Sequence, residues 1–238
     1  SYNEEVSIPV ELKEVLLSFE KWSSITNGKL TPAIGPLDQL WKQASAQQSL
    51  PSQIEIQTAV NQVNQRHWIV NSQENKAVHT TETQLLLNSF VKSYIINKAV
   101  DKVLQLEGIN GALINIGGDM VAKGSIEEPV KILNPTIKGD NIFENSTIQL
   151  SNNAIATSGN YKRGYTINGK HYSHIINPID GMPADHVLSA TVIAKDAVTA
   201  GALATAFNVM TIEESKSIAA QFPDIAFQII GSNHELIE

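Results

Sequence analysis

Apolar residues recurring at spacings of three and four mark helices along this chain, and alternating or continuous apolar runs mark strands between them. From Pro9 to Trp22, the residues Leu12, Val15, Leu16, Phe19 and Trp22 share one helical face, and Gly28 follows beyond its end. Gly35-Pro36 reads as a break before a second, shorter apolar face of Leu37, Leu40 and Trp41. Ser52-Gln53-Ile54-Glu55 has the spacing of a capping box and opens a helix through Val60 and Val63. Trp68-Ile69-Val70 and Ala77-Val78-His79 flank a polar stretch and predict a hairpin. A long helix is expected from about Ser89 to Leu106, with Phe90, Tyr94, Ile95, Ala99, Val103 and Leu106 inward.

The second half of the chain reads mostly as strands. Gly111 to Ile116 predicts a buried strand running into Gly117-Gly118-Asp119, followed by Met120-Val121-Ala122. Glu127 to Gln149 reads as strands and loops without recognisable chemistry. Ala154-Ile155-Ala156 is a short apolar run that is expected to end in a corner at Thr157-Ser158-Gly159. A basic loop (Lys162, Arg163) leads into a hairpin turning at Asn168-Gly169, where both central residues must take positive φ. The returning strand carries His171 and His174 toward Asn177-Pro178. Leu188 to Ala194 is a strand, and Asp196 is placed to cap a small-residue helix from Ala197 to Met210. Thr211-Ile212-Glu213-Glu214 starts another helix that halts near Pro223, and Ala226 to Ile230 closes as a strand. Helices and strands intermix with no internal repeat, which predicts one α+β domain over residues 1–238.

Composition narrows the function classes. With 42% apolar and 17% charged residues in 238, the chain has the make-up of a folded protein with a sizeable core. Its net charge of −7 argues against nucleic acid, whose phosphates demand a basic face. No apolar run approaches the roughly 20 residues of a transmembrane helix. The opening Ser-Tyr-Asn-Glu-Glu lacks the charged-then-apolar pattern of a signal peptide and is expected to be the start of a trimmed or mature fragment. The absence of cysteine removes disulfides and thiolate metal sites, and leaves the compartment open.

Few residues carry chemistry by themselves. Lys92 near the start of a helix opposes the helix dipole, so either an anion lies nearby or the lysine is simply solvated. Paired glycines at 117 and 118 permit close approach of a ligand or of another backbone. The Thr157-Ser158-Gly159 corner could present N–H groups to an anion, or merely need glycine to turn. His171 and His174 stand at i and i+3 on a strand, so their rings point to opposite faces and should not share a metal. His174 is either a positioned acid/base or a satisfied hairpin histidine. Gly201 and Thr205 lie one helical turn apart, and the Thr205 hydroxyl is expected to face an empty space above Gly201. Neither a Walker A loop nor a Gly-x-Ser-x-Gly elbow is present.

Taken together, three motifs in order carry a resemblance. Ala156-Thr157-Ser158-Gly159-Asn160-Tyr161, His174-Ile175-Ile176-Asn177-Pro178 and Ala200-Gly201-Ala202-Leu203-Ala204-Thr205-Ala206 resemble those of the ApbE-like flavin transferases, the FAD:protein FMN transferases. Gly111 to Asp119 is similar to the family's strand ending in Gly-Gly-Asp, Leu87 to Lys98 to its Ala-Lys-Gly-Tyr helix, and Gly28 to Trp41 to its Gly-Pro-Leu…Leu-Trp segment. The likeness runs from about Asn3 onward; the family's N-terminal strand region and lipobox are not matched.

This resemblance implies a mixed α/β, T-fold-like architecture of two lobes around a flavin cleft. It implies Mg²⁺-dependent cleavage of FAD, with FMN passed to a Thr or Ser hydroxyl of a flavin-acceptor protein, AMP released, and a periplasmic or envelope setting. By the same resemblance Thr157, Ser158 and Gly159 border the nucleotide, Gly117, Gly118 and Asp119 lie beside it, and Lys92 faces its phosphates. His174 takes the place of the family's functional histidine, Thr205 and a carbonyl near Val91 fall at metal-ligand positions, and Asn3 matches an asparagine near the nucleotide.

Three departures bear on the metal. Gly201 stands where the family carries a metal-binding aspartate, Asn177 stands where it carries another, and Val91-Lys92-Ser93 keeps the lysine but not the glycine of Ala-Lys-Gly. Mg²⁺ is usually held by one or two carboxylates with phosphate oxygens, so its binding should weaken, with Asp119 and Asp180 left as substitutes. The alternative function is therefore a module that binds flavin nucleotide without transferring it.

Overall fold

The computed structural model describes residues 2–133, 142–160 and 163–238, with backbone alone at 133 and 142–146. In chain order it begins with β1 (Glu5–Ser7), α1 (Val10–Ile25), α2 (Gly35–Gln47), α3 (Gln53–Val63), β2 (Trp68–Asn71) and β3 (Lys76–His79). After a single 3₁₀ turn at Leu87–Ser89 come α4 (Val91–Val103), β4 (Gly111–Ile116), β5 (Asp119–Gly124), β6 (Glu128–Leu133), β7 (Ile142–Leu150) and β8 (Asn153–Gly159). The remainder is β9 (Gly164–Ile167), β10 (Lys170–Ser173), β11 (Val187–Ala194), α5 (Ala197–Phe207), α6 (Ile212–Ala219), β12 (Ala226–Gly231) and β13 (Leu236–Ile237). Contacts divide this mixed helix-and-sheet chain into two units, the first made of residues 1–88 and 163–184, the second of 89–162 and 185–238.

In the first unit, α2, α3 and the β9–β10 hairpin enclose one core. Leu37, Trp41, Ile56, Val60, Val63, Tyr165 and Ile167 are buried in it together. Gly35 and Pro36 open α2 rather than break the chain before it, because a helix's first turn has no N–H bonds for proline to disrupt. At the start of α3 the Ser52 side chain accepts from Glu55 N while Glu55 Oε2 accepts from Ser52 N at 2.7 Å, completing the expected capping box. The hairpin turns at Asn168 and Gly169, with φ of 50° and 78°, as Asn-Gly predicts. Trp41 lies 5.2 Å from Tyr172 between ring centroids, and its Nε1 donates to Gly181 O at 2.9 Å. The expected β2–β3 hairpin is present, and the exposed β1 joins it in the order β1-β3-β2. Asn3, just before β1, takes positive φ and donates its N–H to His79 O.

The second unit is built on an antiparallel sheet ordered β13-β12-β11-β8-β5-β4 among the described residues. The central strand β11 is deeply buried, and α5 lies against β8 and β11. Apolar nearly all round, α5 buries Ala200, Gly201, Leu203, Ala204 and Phe207, as a helix without a polar face must. Asp196 caps it as expected, with Oδ1 accepting from Thr199 N at 2.9 Å. The helix ends at Phe207 rather than Met210, the next residues closing with tighter bonds such as Asn208 N to Thr205 O.

Three expectations change here. The inward face of α4 is Ser93, Tyr94, Ile96 and Val100, whereas Ile95 and Leu106 are exposed. The helix is turned because its small polar residue, Ser93, packs inward against α5. Nor do Thr157, Ser158 and Gly159 form a corner. They continue β8, paired with Thr191, Ala190 and Ser189 of β11, since that strand is long enough to keep their backbone in the ladder. Finally, β4 is only partly buried, being an edge strand.

Candidate functional site

The start of α4 and the β4–β5 turn bring four of the expected residues together in the second unit. Gly117 and Gly118 form that two-residue turn with φ of 58° and 93°, a conformation that costs other L-residues about 1–2 kcal/mol each. Gly118 N donates to Asn115 Oδ1 at 3.1 Å, which ties the turn to its own strand. Asp119 follows as the first residue of β5 and is 6% exposed. The anion that Lys92 needs at the head of α4 is this carboxylate, 2.9 Å from Lys92 Nζ to Oδ2. Ser93 Oγ donates to the same oxygen at 3.2 Å. A Cβ at Gly117 would stand 3.9 Å from the ammonium, so the turn leaves the lysine head uncovered on that side. With the lysine side chain 40% exposed and the carboxylate 9%, the cation faces outward and its counter-charge inward.

Thr157 reaches the same end of the sheet through strand register. β5 pairs with β8 as far as Met120↔Ile155, and Thr157 lies two residues further along β8, toward the end of the sheet that carries the glycine turn. The exposed Thr157 shares a 2.9 Å hydroxyl bond with the buried Thr191. Ser158 O accepts from Asn208 Nδ2 at 3.1 Å, and Gly159 is ordinary strand. Thr205 Oγ1 donates to Ser89 O at 3.1 Å, two residues before Val91, so the two expected metal-ligand positions are neighbours.

The space above Gly201 is not empty, contrary to expectation. A Cβ at Gly201 would lie 2.3 Å from Ser93 Oγ and 3.0 Å from Ser93 Cβ. Ser93 was not anticipated as a site residue; the available signal was that Ser93 and Gly201 both stand where the chain departs from the motifs it resembles, and the two positions touch. The Mg²⁺ implied by the family resemblance does not fit this donor set. The carboxylate at 201 is missing and its volume is filled, while Asp119 Oδ2 is engaged by an ammonium and a hydroxyl. Asp180, the other suggested substitute, spends one oxygen on Met182 N and the other on Asn177 Nδ2, each at 2.8 Å. Among the described residues no cluster of three or more His, Asp or Glu side chains is arranged to hold a metal.

His174 belongs to the first unit, one residue beyond β10. Its Nδ1 donates to Arg163 O at 3.2 Å, so the neutral tautomer leaves Nε2 free of its proton. Partial burial, the largest cause, lowers its pKa from the ordinary histidine value; the Arg163 carbonyl and Asp38 oppose this, and the charges of Arg163 and His171 reinforce it. The ring is therefore neutral and basic at neutral pH. Tyr161 of the first motif and Lys162 lie outside the described residues. No helix among the described residues is long and apolar enough to cross a membrane.

The chain is similar to known proteins both in sequence and in structure. By sequence, the chain is 27% identical to the FAD:protein FMN transferase of Haemophilus influenzae, aligned over 99% of this chain and 71% of that protein. It is 29% identical to the protein of the same name from Escherichia coli, over 81% and 57%, and 32% identical to that of Buchnera aphidicola subsp. Baizongia pistaciae, over 82% and 59%. The chain thus spans less than two thirds of the length of the latter two relatives. By structure, it is similar to the ApbE protein of Thermotoga maritima, with a TM-score of 0.85 at 26% identity over 100% of this chain and 78% of that one. The flavin transferase ApbE of Vibrio cholerae shares the fold, with a TM-score of 0.79 at 24% identity over 100% and 76%. The ApbE family matches residues 1–229, and the chain belongs to it.

Proposed function

We propose that the chain binds FAD and transfers its FMN half to a Thr or Ser hydroxyl of an acceptor protein, releasing AMP. The acceptor oxygen forms the new bond to the FMN phosphorus, the bond from that phosphorus to the AMP oxygen breaks, and the hydroxyl proton passes to a base. The observation that carries this reading is the half-exposed Lys92 ammonium above a glycine turn with its carboxylate partner buried behind it. Such an outward cation beside a side-chain-free turn is suited to phosphate oxygens, whose developing charge it would stabilise. The names of the sequence relatives support the same reaction. In this reading the whole chain is one transferase domain, Thr157, Ser158, Gly159, Gly117 and Gly118 line the nucleotide, and Asp119 holds Lys92. His174 takes the proton through Nε2. No step is assigned to Mg²⁺, because the donor set does not fit it. A periplasmic setting follows from the resemblance alone.

A second reading, flavin nucleotide binding without transfer, is favoured by one observation, the filled volume at Gly201. Incubating the protein with FAD and a flavin-acceptor domain separates the two. Covalently yellow acceptor with stoichiometric AMP supports transfer, and FAD binding without either product supports the binding module. No FAD binding at all would leave only the family assignment.

A further inference from the structure

We infer that Ser93 and Gly201 have exchanged side-chain volume across the α4–α5 contact, closing a divalent-cation position. In its place Lys92, Asp119 and Ser93 form a metal-free cluster that presents an ammonium group to the phosphates of a dinucleotide. The ligand half of this inference rests on the reading proposed above; the cation half rests on geometry alone.

Position 201 faces α4 with no side chain of its own, and Ser93 Oγ stands 2.3 Å from where a Cβ would be. An acid placed there must displace a side chain that is 1% exposed and bonded to Asp119. One turn along α5, Thr205 turns its hydroxyl hydrogen toward Ser89 O. Asp119, the carboxylate bonded to Ser93, already has an ammonium 2.9 Å from Oδ2. A Mg²⁺ ion requires oxygens at about 2.0–2.1 Å in a near-octahedral shell, and a fixed cation on the same oxygen would repel it. The arrangement has its own internal logic. Asp119 is buried, so its charge must be matched, and Lys92 with Ser93 supply a charge and a hydrogen bond to one oxygen. Lys92 is held at its ammonium by Asp119, which Ser93 braces, while the rest of that head reaches solvent beside Gly117. The serine therefore does two things at once, filling the volume at 201 and bracing the carboxylate that aims the lysine.

Mn²⁺, counted by its free-ion paramagnetic signal, is the probe for the cation half. The full chain should take up no stoichiometric Mn²⁺, and neither should the single variants Gly201→Asp and Ser93→Gly. The pair S93G/G201D should bind one ion per chain at least roughly tenfold more tightly than any of these, because it restores both a carboxylate and the room for it. FAD affinity of the unaltered chain, read by quenching of flavin fluorescence, should be the same with and without a chelator. One Mn²⁺ per unaltered chain, lost in Thr205→Ala, would overturn the inference, as would a tenfold fall in FAD affinity on chelation. So would a folded double variant, verified by its circular dichroism, that binds no better than the parent. If the double variant does not fold, the measurements on the unaltered chain and Thr205→Ala decide alone. Complete failure to bind FAD would refute the transferase reading and the ligand half, and leave the Mn²⁺ comparison to judge the cation half.

Discussion

Ser93 of α4 occupies the volume that any side chain on Gly201 of α5 would need, with 2.3 Å between its Oγ and the position of a Cβ there. Replacing Gly201 by Ala therefore sets two effects against each other. Alanine gains about 1 kcal/mol over glycine in a helix interior, but forcing a methyl into a filled contact costs about 1–3 kcal/mol and breaks the Ser93–Asp119 bond, worth about 1 kcal/mol or more. Gly201→Ala should lower the stability of the chain in urea titrations, and adding Ser93→Gly should return most of the loss. Strict additivity of the two changes would refute the contact.

Lys92 is the partner of a carboxylate that is 6% exposed. Lys92→Met should cost about 1–3 kcal/mol by leaving Asp119 without its counter-charge, toward the low end because the ammonium itself is partly solvated. It should also weaken FAD binding by roughly tenfold or more, the worth of one charge-assisted bond to phosphate. Fluorescence titration with FAD checks the second effect; an unchanged affinity would remove Lys92 from the nucleotide site.

The lowered pKa of His174 has a definite sign in pH titrations. Its ring binds its proton less tightly in the folded chain than in the unfolded one, so its stabilising effect is complete above the ordinary value of about 6.5 and declines as pH falls through the lower folded value. His174→Asn should flatten that part of the stability profile. In transfer assays the acid limb should have its midpoint below the ordinary histidine value, and the variant should lose about 10²–10⁴ in rate, the usual share of general base catalysis. An acid limb that persists unchanged in the variant would assign the proton elsewhere.

Asp196 closes the N-terminus of the most buried helix in the second unit. Asp196→Ala should cost about 1–2 kcal/mol, since it removes both the bond to Thr199 N and the 2.7 Å bond from Thr199 Oγ1. Thermal melts of the full chain measure this directly, and a loss within error would show that the buried face of α5 alone holds its first turn.

What could be read from the chain was local, and what could not was the choice of partner. The Asn168-Gly169 turn, the Ser52–Glu55 box and the Asp196 cap each lie within four residues, so their chemistry is visible in a short window. The rotation of α4 was invisible because a periodicity count points every apolar residue inward. It does not know that Ser93 has a glycine waiting on another helix. Thr157 to Gly159 resembled a corner for the same reason: small and hydroxylated residues signal turns unless a long neighbouring strand such as β11 keeps them paired. At the site, Lys92 announced itself as a cation in the wrong place on a helix. Its partner, 27 positions later, became known only from the fold.

The indole bond from Trp41 to the carbonyl of Gly181 has one more effect. The segment after His174 is closed on itself by Gly181 N to Asn177 O and Asn177 N to Met182 O, and Trp41 fastens it to the helix pair beneath. Backbone amides there should exchange deuterium no faster than those of α2, opening in the same cooperative event rather than by local fraying. A histidine placed on such a tether keeps its aim without help from a bound ligand.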